Sequence, residues 1–339
     1  MAHAHPSGKS VAAKNAAPLL DSLTDCVRPE LAEVQKIFDQ ELHSDQACVN
    51  TLVRHVSRFR GKMLRPLLVL LSGKASGKIS EAHNVLATVV EMVHMATLVH
   101  DDVLDEAELR RKGATINHLR GNEAAVLLGD YLISHAFHLC SSLESQFASR
   151  VIGRTTNQVC EGELLQIHNR NNLDLDEETY LQIITCKTAA LCAACCQLGA
   201  SFAGADPAGV ENLHQYGLCL GTAFQIQDDI LDIVGDQSTV GKTLGIDILK
   251  GKLTLPIIHF LRTAPQEHRT LLRSLLKSHE ADKVERIRNL ILPSTSVEYA
   301  ANRARQLIDK AQTSLATVPN SQPRQILNAM AEFVVIRPM

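Results

Sequence analysis

Apolar residues recur at helical spacing through most of the chain, whereas alternating, strand-like runs are short and sparse. In one long segment, Val85, Val89 and Val93 lie four residues apart and therefore share a helix face. Pro66 is expected to open another helix, since proline is favoured at a first helical position. We expect helices over residues 66–71, 80–106, 121–145, 148–168, 177–203, 208–235 and 251–264, two over 281–318 broken at Pro293, and a last one from Gln322 to Val335.

This pattern predicts an all-α protein with a single helical domain over residues 19–339. A length of 339 residues would allow one or two domains, but no long linker divides the chain and no fixed repeat suggests a solenoid. Residues 1–18 are rich in Ala, His, Ser and Lys and lack an apolar segment. We interpret them as a disordered lead and not as a signal peptide.

The segment from Thr188 to Ala205 has no charged residue and is dominated by Ala and Cys. A buried core helix fits this composition better than a membrane span. Cys192 and Cys195 have the spacing of a metal or redox motif, but no second pair completes a zinc site, and buried Cys behaves as a small hydrophobe. The nine cysteines indicate a reducing, cytoplasmic setting.

The sequence contains two acidic clusters of the form DDxxD, Asp101–Asp105 and Asp228–Asp232, each inside an apolar run. Carboxylates are costly on a core-facing stretch unless they are paired or bind a metal. The first and last Asp of each cluster share a helix face. Two such faces together suit Mg²⁺, which binds a few carboxylates and completes its shell with phosphate oxygens and water. Solvated acidic turns are the alternative, and the repetition in equivalent contexts argues against it.

Polar groups continue along the helix that carries the first cluster. One narrow arc contains Glu91, His94, Leu98, Asp101 and Asp105. A lone histidine on such a face is usually a core residue. The position of His94 two turns from a metal cluster favours a ligand-binding role instead.

Basic residues are grouped near these features, while the net charge of −3 provides no overall attraction for anions or nucleic acid. Aromatic residues make up only 4% and Trp is absent, which argues against base stacking. Each basic group could be a solvated surface charge, but together they are what two diphosphates flanking Mg²⁺ would need. The groups are Lys62 with Arg65, Arg110 with Arg111, Lys187 beside Thr188, Lys242, and Lys250 with Lys252. The Gly241–Thr243 segment is not a phosphate loop, because residue 236 is Asp and no strand precedes it.

Seven segments in the same order make the chain resemble the trans-isoprenyl diphosphate synthases over roughly residues 20–339. They are RGKMLRP (60–66), EMVHMATLVHDDVLDEAELRR (91–111), GNEAAVLLGDYL (121–132), EGELLQ (161–166), KTAAL (187–191), FQIQDDILDIVGD (224–236) and GKTLGIDILKGKLTLP (241–256). The resemblance implies a helical bundle around a deep central cavity, usually as a homodimer. Departures occur at Arg60 and Met63 in the first segment, and Lys112 displaces the glycine that follows the paired arginines.

The resemblance also implies residue roles. It places Mg²⁺, three ions with substrate bound, on Asp101, Asp105 and Asp228 with Asp232 nearby. It implies that the allylic diphosphate is bound by Arg110, Lys187, Gln225 and Lys242, with Lys252 joining them. It implies that isopentenyl diphosphate is bound by Lys62, Arg65, His94 and Arg111. Thr188 corresponds to the position whose carbonyl lies near the developing carbocation.

These features predict a Mg²⁺-dependent prenyltransferase that adds isopentenyl diphosphate head-to-tail to an allylic primer. Ala96 and Thr97 are small where short-chain members place aromatic residues, so the cavity should continue past them. The expected walls are Val93, Met92 and Val89 on one side and Leu132, Ile133 and Ala136 on the other. We therefore expect a product of roughly six to ten isoprene units for a quinone side chain.

Several alternatives remain open at this point. Geranylgeranyl or farnesyl diphosphate is the second choice of product. A terpene cyclase would carry Asn, Ser/Thr and Glu in its second metal motif, and a non-catalytic partner subunit would lack the acidic clusters. We expect no transmembrane span and no nucleic-acid partner, and we allow for a peripheral membrane contact for product release.

Overall fold

The architecture is helical throughout the part of the chain that the structure, a computed structural model, describes: residues 24–59, 61, 63–110, 113–235 and 244–336. The predicted lead, residues 1–18, lies outside these ranges. The helices are α1 Arg28–Glu41, α2 Ala47–Ser57, α3 Leu64–Ser76, α4 Glu81–Leu104, α5 Ile116–Arg120, α6 Asn122–Ser141, α7 Gln146–His168, α8 Glu177–Ile184, α9 Ala190–Phe202, α10 Pro207–Val234, α11 Ile246–Leu249, α12 Leu255–Thr263, α13 Gln266–Lys277, α14 Lys283–Ile291, α15 Ser296–Ser314 and α16 Gln322–Ile336.

Five short elements complete the description. A π-helical turn, Thr185–Ala189, joins α8 to α9 within one continuous helical rod. Two 3₁₀ turns cover Asp25–Val27 and Leu315–Thr317. Strands β1 (Leu109–Arg110) and β2 (Gly113–Ala114) pair antiparallel directly after α4. The all-α prediction is therefore confirmed.

Most predicted helices have observed counterparts, with informative differences at their ends. The helix expected over 251–264 is observed as α12, which begins only at Leu255, while α11 ends before the predicted range. Pro66 is the third residue of α3 and not the first, which is tolerated because first-turn N–H groups have no intrahelical partner. Helices α1, α2, α5, α11 and α13 were not predicted. Their buried stripes are narrow: α13, for example, buries only Leu272 and Leu275.

A single hydrophobic core runs through the described residues, with α3, α4, α9 and α10 at its centre. Helix α9 is buried over almost its whole length, as expected for the charge-free segment. Cys192, Cys195 and Cys196 all lie inside it as free thiols. Burial raises the pKa of Cys196 to about 12, so this thiol is a packing group and not a reactive one.

Small residues let α9 pack against its neighbours almost backbone to backbone. A Cβ added at Gly199 would lie 2.2 Å from the carbonyl oxygen of Val69 in α3. A Cβ added at Gly217 in α10 would lie 2.5 Å from the carbonyl oxygen of Cys192. Both distances are far below van der Waals contact, so any larger residue would push the helices apart.

Two segments, Glu81–Leu104 and Glu177–Phe202, are long and apolar enough to cross a membrane by composition alone. In the structure, 67% and 72% of their apolar windows are buried inside the protein. Burial in the bundle core therefore accounts for their hydropathy, in agreement with the prediction of core helices.

The imidazole of His83 is fully buried between α3, α4 and α9. Its Nδ1 accepts a hydrogen bond from the Ser80 backbone N–H at 3.0 Å, and its Nε2–H donates to the Gly199 carbonyl oxygen at 3.1 Å. Protonation would remove the acceptor at Nδ1. Desolvation by burial lowers the pKa of His83 below its usual 6.5, so the folded protein holds this ring neutral.

We predict that His83 contributes an acid-sensitive term to stability. The unfolded chain binds a proton at His83 near pH 6.5 that the folded chain does not, so the unfolding free energy falls as pH decreases through that value. For one proton the slope is at most about 1.4 kcal/mol per pH unit. Denaturant titrations between pH 7.5 and 5 should show a shallower decline for His83→Gln than for the wild type. An equal decline in His83→Gln and in the exposed-site control His138→Gln would contradict this assignment.

Candidate active site

The first acidic cluster ends α4, and its members have different partners. Asp101 and Asp105 are half-buried on one face, while Asp102 is 6% exposed and points to the hairpin. The Arg110 guanidinium contacts the Asp102 carboxylate with Nε at 2.9 Å and Nη2 at 2.7 Å from Oδ1. Asn117 donates to the Asp102 carbonyl oxygen at 3.2 Å. The second Asp of the cluster thus fixes the chain that follows α4.

The second cluster, at the end of α10, likewise combines one buried Asp that is paired with protein groups and two Asp that are half-buried. Asp229 is buried and accepts hydrogen bonds from the Tyr180 hydroxyl at 2.7 Å and the Gln225 amide at 2.8 Å. Asp228 is half-buried. Asp232 accepts from the backbone N–H groups of Ile246 at 3.3 Å and Asp247 at 3.2 Å, which fixes the start of α11.

Lys187 lies in the π-helical turn and faces the first cluster. Its Nζ is 3.8 Å from Asp101 Oδ1, donates to Gln166 Oε1 at 3.0 Å and forms an ion pair with Glu163. Gly162 permits this approach, because a Cβ there would lie 2.6 Å from the Lys187 backbone nitrogen. Irregular π turns inside helices are frequent at functional sites.

A hydrogen-bonded chain connects this turn to the second cluster. The Thr188 hydroxyl donates to Gln225 Oε1 at 3.0 Å, and the Gln225 amide continues to Asp229. Three predicted site residues, Lys187, Thr188 and Gln225, are therefore brought between the two clusters. Their side chains link α10 to the π turn.

Asp105 is surrounded by cations. Lys252 Nζ lies 3.1 Å from Oδ1, Lys250 Nζ lies 3.1 Å from Oδ2, and Arg170 Nη2 lies 3.9 Å from Oδ1. Lys252 was predicted to belong to the site and Arg170 was not.

Burial and neighbouring charges together set the direction in which the pKa of each of these groups is shifted. Burial raises the pKa of Asp101, although Lys187 opposes the effect. Burial also disfavours ionised Asp105, but Lys252 and Lys250 outweigh it and lower the pKa of Asp105. Burial, with Asp232 as a nearby like charge, raises the pKa of Asp247 to about 6. Desolvation opposes the charge on Lys187, but Asp101 and Glu163 raise its pKa. Buried carboxylates and cations are thus balanced within one site.

A cavity of about 80 Å³ lies among these groups, enclosed by α7, α8, the π turn, α10 and the segment after α11. Its walls include Lys187, Thr188, Gln225, Asp229, Asp247 and Lys252 together with apolar residues such as Ile183 and Leu253. A larger groove of about 610 Å³ follows the outer face of α1 and is lined by that helix and His43. Within the described ranges no charged group from another element lines this groove, so we assign the chemistry to the smaller cavity.

The other predicted residues fall into two groups. Arg65 is in the first turn of α3, and its buried Nε has no hydrogen-bond partner in the part of the chain that the structure describes. His94 is half-buried on the face of α4 that carries Asp101. Lys62, Arg111 and Lys242 lie outside the described residues.

The carboxylates of the two clusters suit a metal ion that is also bound by oxygen atoms of the substrate. Within the described ranges, no three His, Cys, Asp or Glu side chains converge closely enough to hold a metal by themselves. The two clusters instead offer separate carboxylates on facing helices, and Mg²⁺ commonly completes such a shell with phosphate oxygens and water.

Comparison with known proteins agrees with this arrangement. A family model described as polyprenyl synthetase matches residues 46–291. The chain belongs to the polyprenyl synthetase family. It is thus a prenyl-transferring enzyme, and the family resemblance inferred from the sequence is confirmed. Among its relatives is the octaprenyl diphosphate synthase of Escherichia coli, 34% identical over 319 residues, which cover 94% of this chain and 99% of the relative.

Solved structures of the family share the fold. A decaprenyl diphosphate synthase from Rhodobacter capsulatus superposes with a TM-score of 0.89 at 33% identity, covering 94% of this chain and 99% of that one. A polyprenyl synthase from Caulobacter crescentus, complexed with calcium and isoprenyl diphosphate, gives 0.88 at 36% identity, covering 94% and 98%. The structural similarity includes α4 and α10, the helices that carry the two acidic clusters.

Glu163 lies in the EGELLQ segment that carries the family resemblance, but no role was predicted for it from the sequence. We predict that Glu163→Gln, which keeps the shape but removes the charge, lowers kcat/KM for an allylic diphosphate about tenfold. Lys187 would then pair more tightly with Asp101 and compete for that carboxylate. Steady-state kinetics would measure the loss, with exposed Glu161→Gln on the same helix as the control. Equal activity of the two variants would contradict a role for Glu163.

Proposed function

We propose that the enzyme condenses isopentenyl diphosphate head-to-tail with an allylic diphosphate primer to make a long-chain all-trans polyprenyl diphosphate of roughly six to ten isoprene units. The observation that carries the proposal is the pair of acidic clusters at the ends of α4 and α10, with Lys187, Gln225 and Lys252 between them. Such a site fits a diphosphate bridged to metal ions.

In this proposal Mg²⁺, three ions with substrate bound, would neutralise the diphosphate and make it a good leaving group. Asp101 and Asp105 would hold it from α4, and Asp228 with Asp232 from α10. The allylic diphosphate would be oriented by Arg110, Lys187, Gln225, Lys242 and Lys252.

The enzyme's own groups then position the reacting carbons. Cleavage of the allylic C–O bond gives a carbocation in an apolar cavity, where the Thr188 carbonyl dipole would stabilise the charge. Isopentenyl diphosphate would be held by Lys62, Arg65, His94 and Arg111, so that its double bond attacks the cation. The new C–C bond leaves a tertiary cation, which loses a proton to the released diphosphate. The buried Nε of Arg65, which has no hydrogen-bond partner among the described residues, supports this second anion site in the first turn of α3.

The long product is supported by the small residues one turn before Asp101. Ala96 is fully buried, and the Thr97 hydroxyl is turned back to the His94 carbonyl oxygen at 2.8 Å. The proposed tunnel walls, Val89, Met92, Val93, Leu132, Ile133 and Ala136, lie along the contact between α4 and α6. Relatives named for octaprenyl and nonaprenyl products support the same length. A short-chain synthase also matches at 35% identity, so geranylgeranyl or farnesyl diphosphate is the alternative.

We further propose a cytoplasmic homodimer that contacts a membrane only peripherally, to release product for a quinone side chain. Helix α6 exposes apolar side chains at Val126, Leu127 and Phe137, with Leu127 68% exposed, which suits a subunit interface. A relative named heptaprenyl diphosphate synthase component 2 makes a heteromer the competing assembly.

The metal assignment predicts a large loss of turnover when either cluster is broken. Asp101→Ala and Asp228→Ala should each lower kcat by about 10³-fold or more, because charge stabilisation at the leaving group is removed. The assay uses purified protein, isopentenyl diphosphate, a farnesyl primer and Mg²⁺, with excess chelator abolishing wild-type activity. Circular dichroism checks the fold. Near-wild-type turnover in both variants would rule out this metal site.

The tunnel predicts that ring-sized residues shorten the product. Ala96→Phe or Thr97→Phe should place an aromatic ring across the path and reduce the product by several isoprene units. Chromatography of dephosphorylated products would give the lengths, with Leu104→Phe, at an exposed position at the end of the same helix, as the control. A wild-type product of three or four units, or unchanged lengths in both variants, would refute the tunnel.

A further inference from the structure

The cations around Asp105 come from two separate loops. Arg170 follows the end of α7, and Lys250 and Lys252 follow α11. Among the described residues, Asp105 is the one carboxylate within 4.0 Å of either Lys250 or Arg170. Neither of these two residues is needed to explain the site described above, so their convergence on a proposed metal ligand requires its own explanation.

Backbone contacts hold the two loops in this position. The Asn171 N–H donates to the Gly251 carbonyl oxygen at 2.8 Å, and the Lys252 N–H donates to the Asp247 carbonyl oxygen at 2.8 Å. Gly251 has φ +68°, and a Cβ there would lie 2.1 Å from Asn171 Oδ1. Asn171 itself has φ +59°. Glycine adopts this left-handed conformation without steric cost and asparagine tolerates it, so both residues suit the close contact between the two loops.

The cationic charge also exceeds what Asp105 can satisfy. One carboxylate has about four lone-pair sites, whereas two ammonium groups and a guanidinium offer eleven N–H donors. Nε and Nη2 of Arg170 are buried and have no hydrogen-bond partner among the described residues. A guanidinium with unused buried donors is suited to an incoming planar or tetrahedral oxyanion.

We propose that Lys250 and Arg170, with Lys252, form an exchangeable diphosphate clamp that pairs with Asp105 in the ligand-free enzyme and with diphosphate oxygens in the loaded one. This inference rests on the proposed function, because the ligand is the diphosphate of the allylic substrate or the pyrophosphate released from it. When Asp105 becomes a metal ligand, its former partners lose their counter-charge. They then turn to the nearest remaining anion, which is the diphosphate.

The exchange has a physical advantage for both states. In the ligand-free enzyme, the clamp neutralises a half-buried carboxylate that would otherwise be exposed to like charges from Asp101 and Asp247. In the loaded enzyme, the same cations are already desolvated and positioned, so less reorganisation accompanies diphosphate binding. No covalent step is involved.

Calorimetry with inorganic pyrophosphate and Mg²⁺ tests the clamp directly on the purified full chain. Lys250→Gln and Arg170→Gln should each weaken pyrophosphate binding about three- to thirtyfold, and Lys250→Arg should stay within about threefold of the wild type. The matched control is Lys277→Gln, which removes an equal but exposed charge at the end of α13 and should leave binding unchanged. Binding within twofold of the wild type in both Gln variants would overturn the clamp.

Kinetics distinguish the source of the diphosphate and separate the clamp from a structural role. The KM for the allylic primer should rise more than the KM for isopentenyl diphosphate in both Gln variants. A larger rise for isopentenyl diphosphate would overturn the assignment to the allylic site. Equal losses in Lys250→Gln and Lys250→Arg, with a lowered Tm, would also overturn it. A wild type that binds pyrophosphate but makes no longer prenyl chain would instead refute the proposed function.

Discussion

Placing carboxylates on the inner faces of buried helices is the constraint on which the site depends. Asp229 is buried and Asp101 and Asp105 are half-buried, so each needs a specific partner. Those partners come from different elements: Lys187 from the π turn, Lys252 from the segment after α11, and Tyr180 from α8. The charge balance of the site therefore also determines how α4, α8 and α10 are arranged around it.

The two acidic clusters meet this constraint in the same way. In each, the second Asp is turned inward and is saturated by protein groups, Arg110 for Asp102 and Tyr180 with Gln225 for Asp229. The remaining carboxylates, Asp101 and Asp105 in the first cluster and Asp228 and Asp232 in the second, are only half-buried. A DDxxD segment therefore combines a structural anchor with groups that remain available for a ligand, and the anchor explains why two adjacent aspartates occur where one metal contact would suffice.

The sequence was sufficient to predict the helical class and the chemistry of the site, because helical periodicity and the repeated DDxxD pattern are local signals. Other features depend on tertiary contacts and leave no comparable trace. Glu163 becomes recognisable only when α7 lies against the π turn, and Arg170 only when its loop meets Gly251. Helix α13 escaped prediction because its stripe of two buried leucines is too narrow to stand out. Periodicity along the sequence predicts which residues share a helix face, but it does not predict which distant segments contact each other.

The π turn at Thr185–Ala189 has a consequence for helical phase. An α-helix advances by about 100° per residue, so a turn that takes one extra residue rotates everything beyond it by that angle relative to a regular helix. Helix α8 can thus direct Tyr180 towards Asp229 while α9 keeps its cysteines and alanines towards α3 and α10. Without that rotation, a regular helix could not direct both Tyr180 towards Asp229 and the cysteines and alanines of α9 towards α3 and α10. The irregular turn allows one helix to serve as both the wall of a charged site and the centre of a dry core.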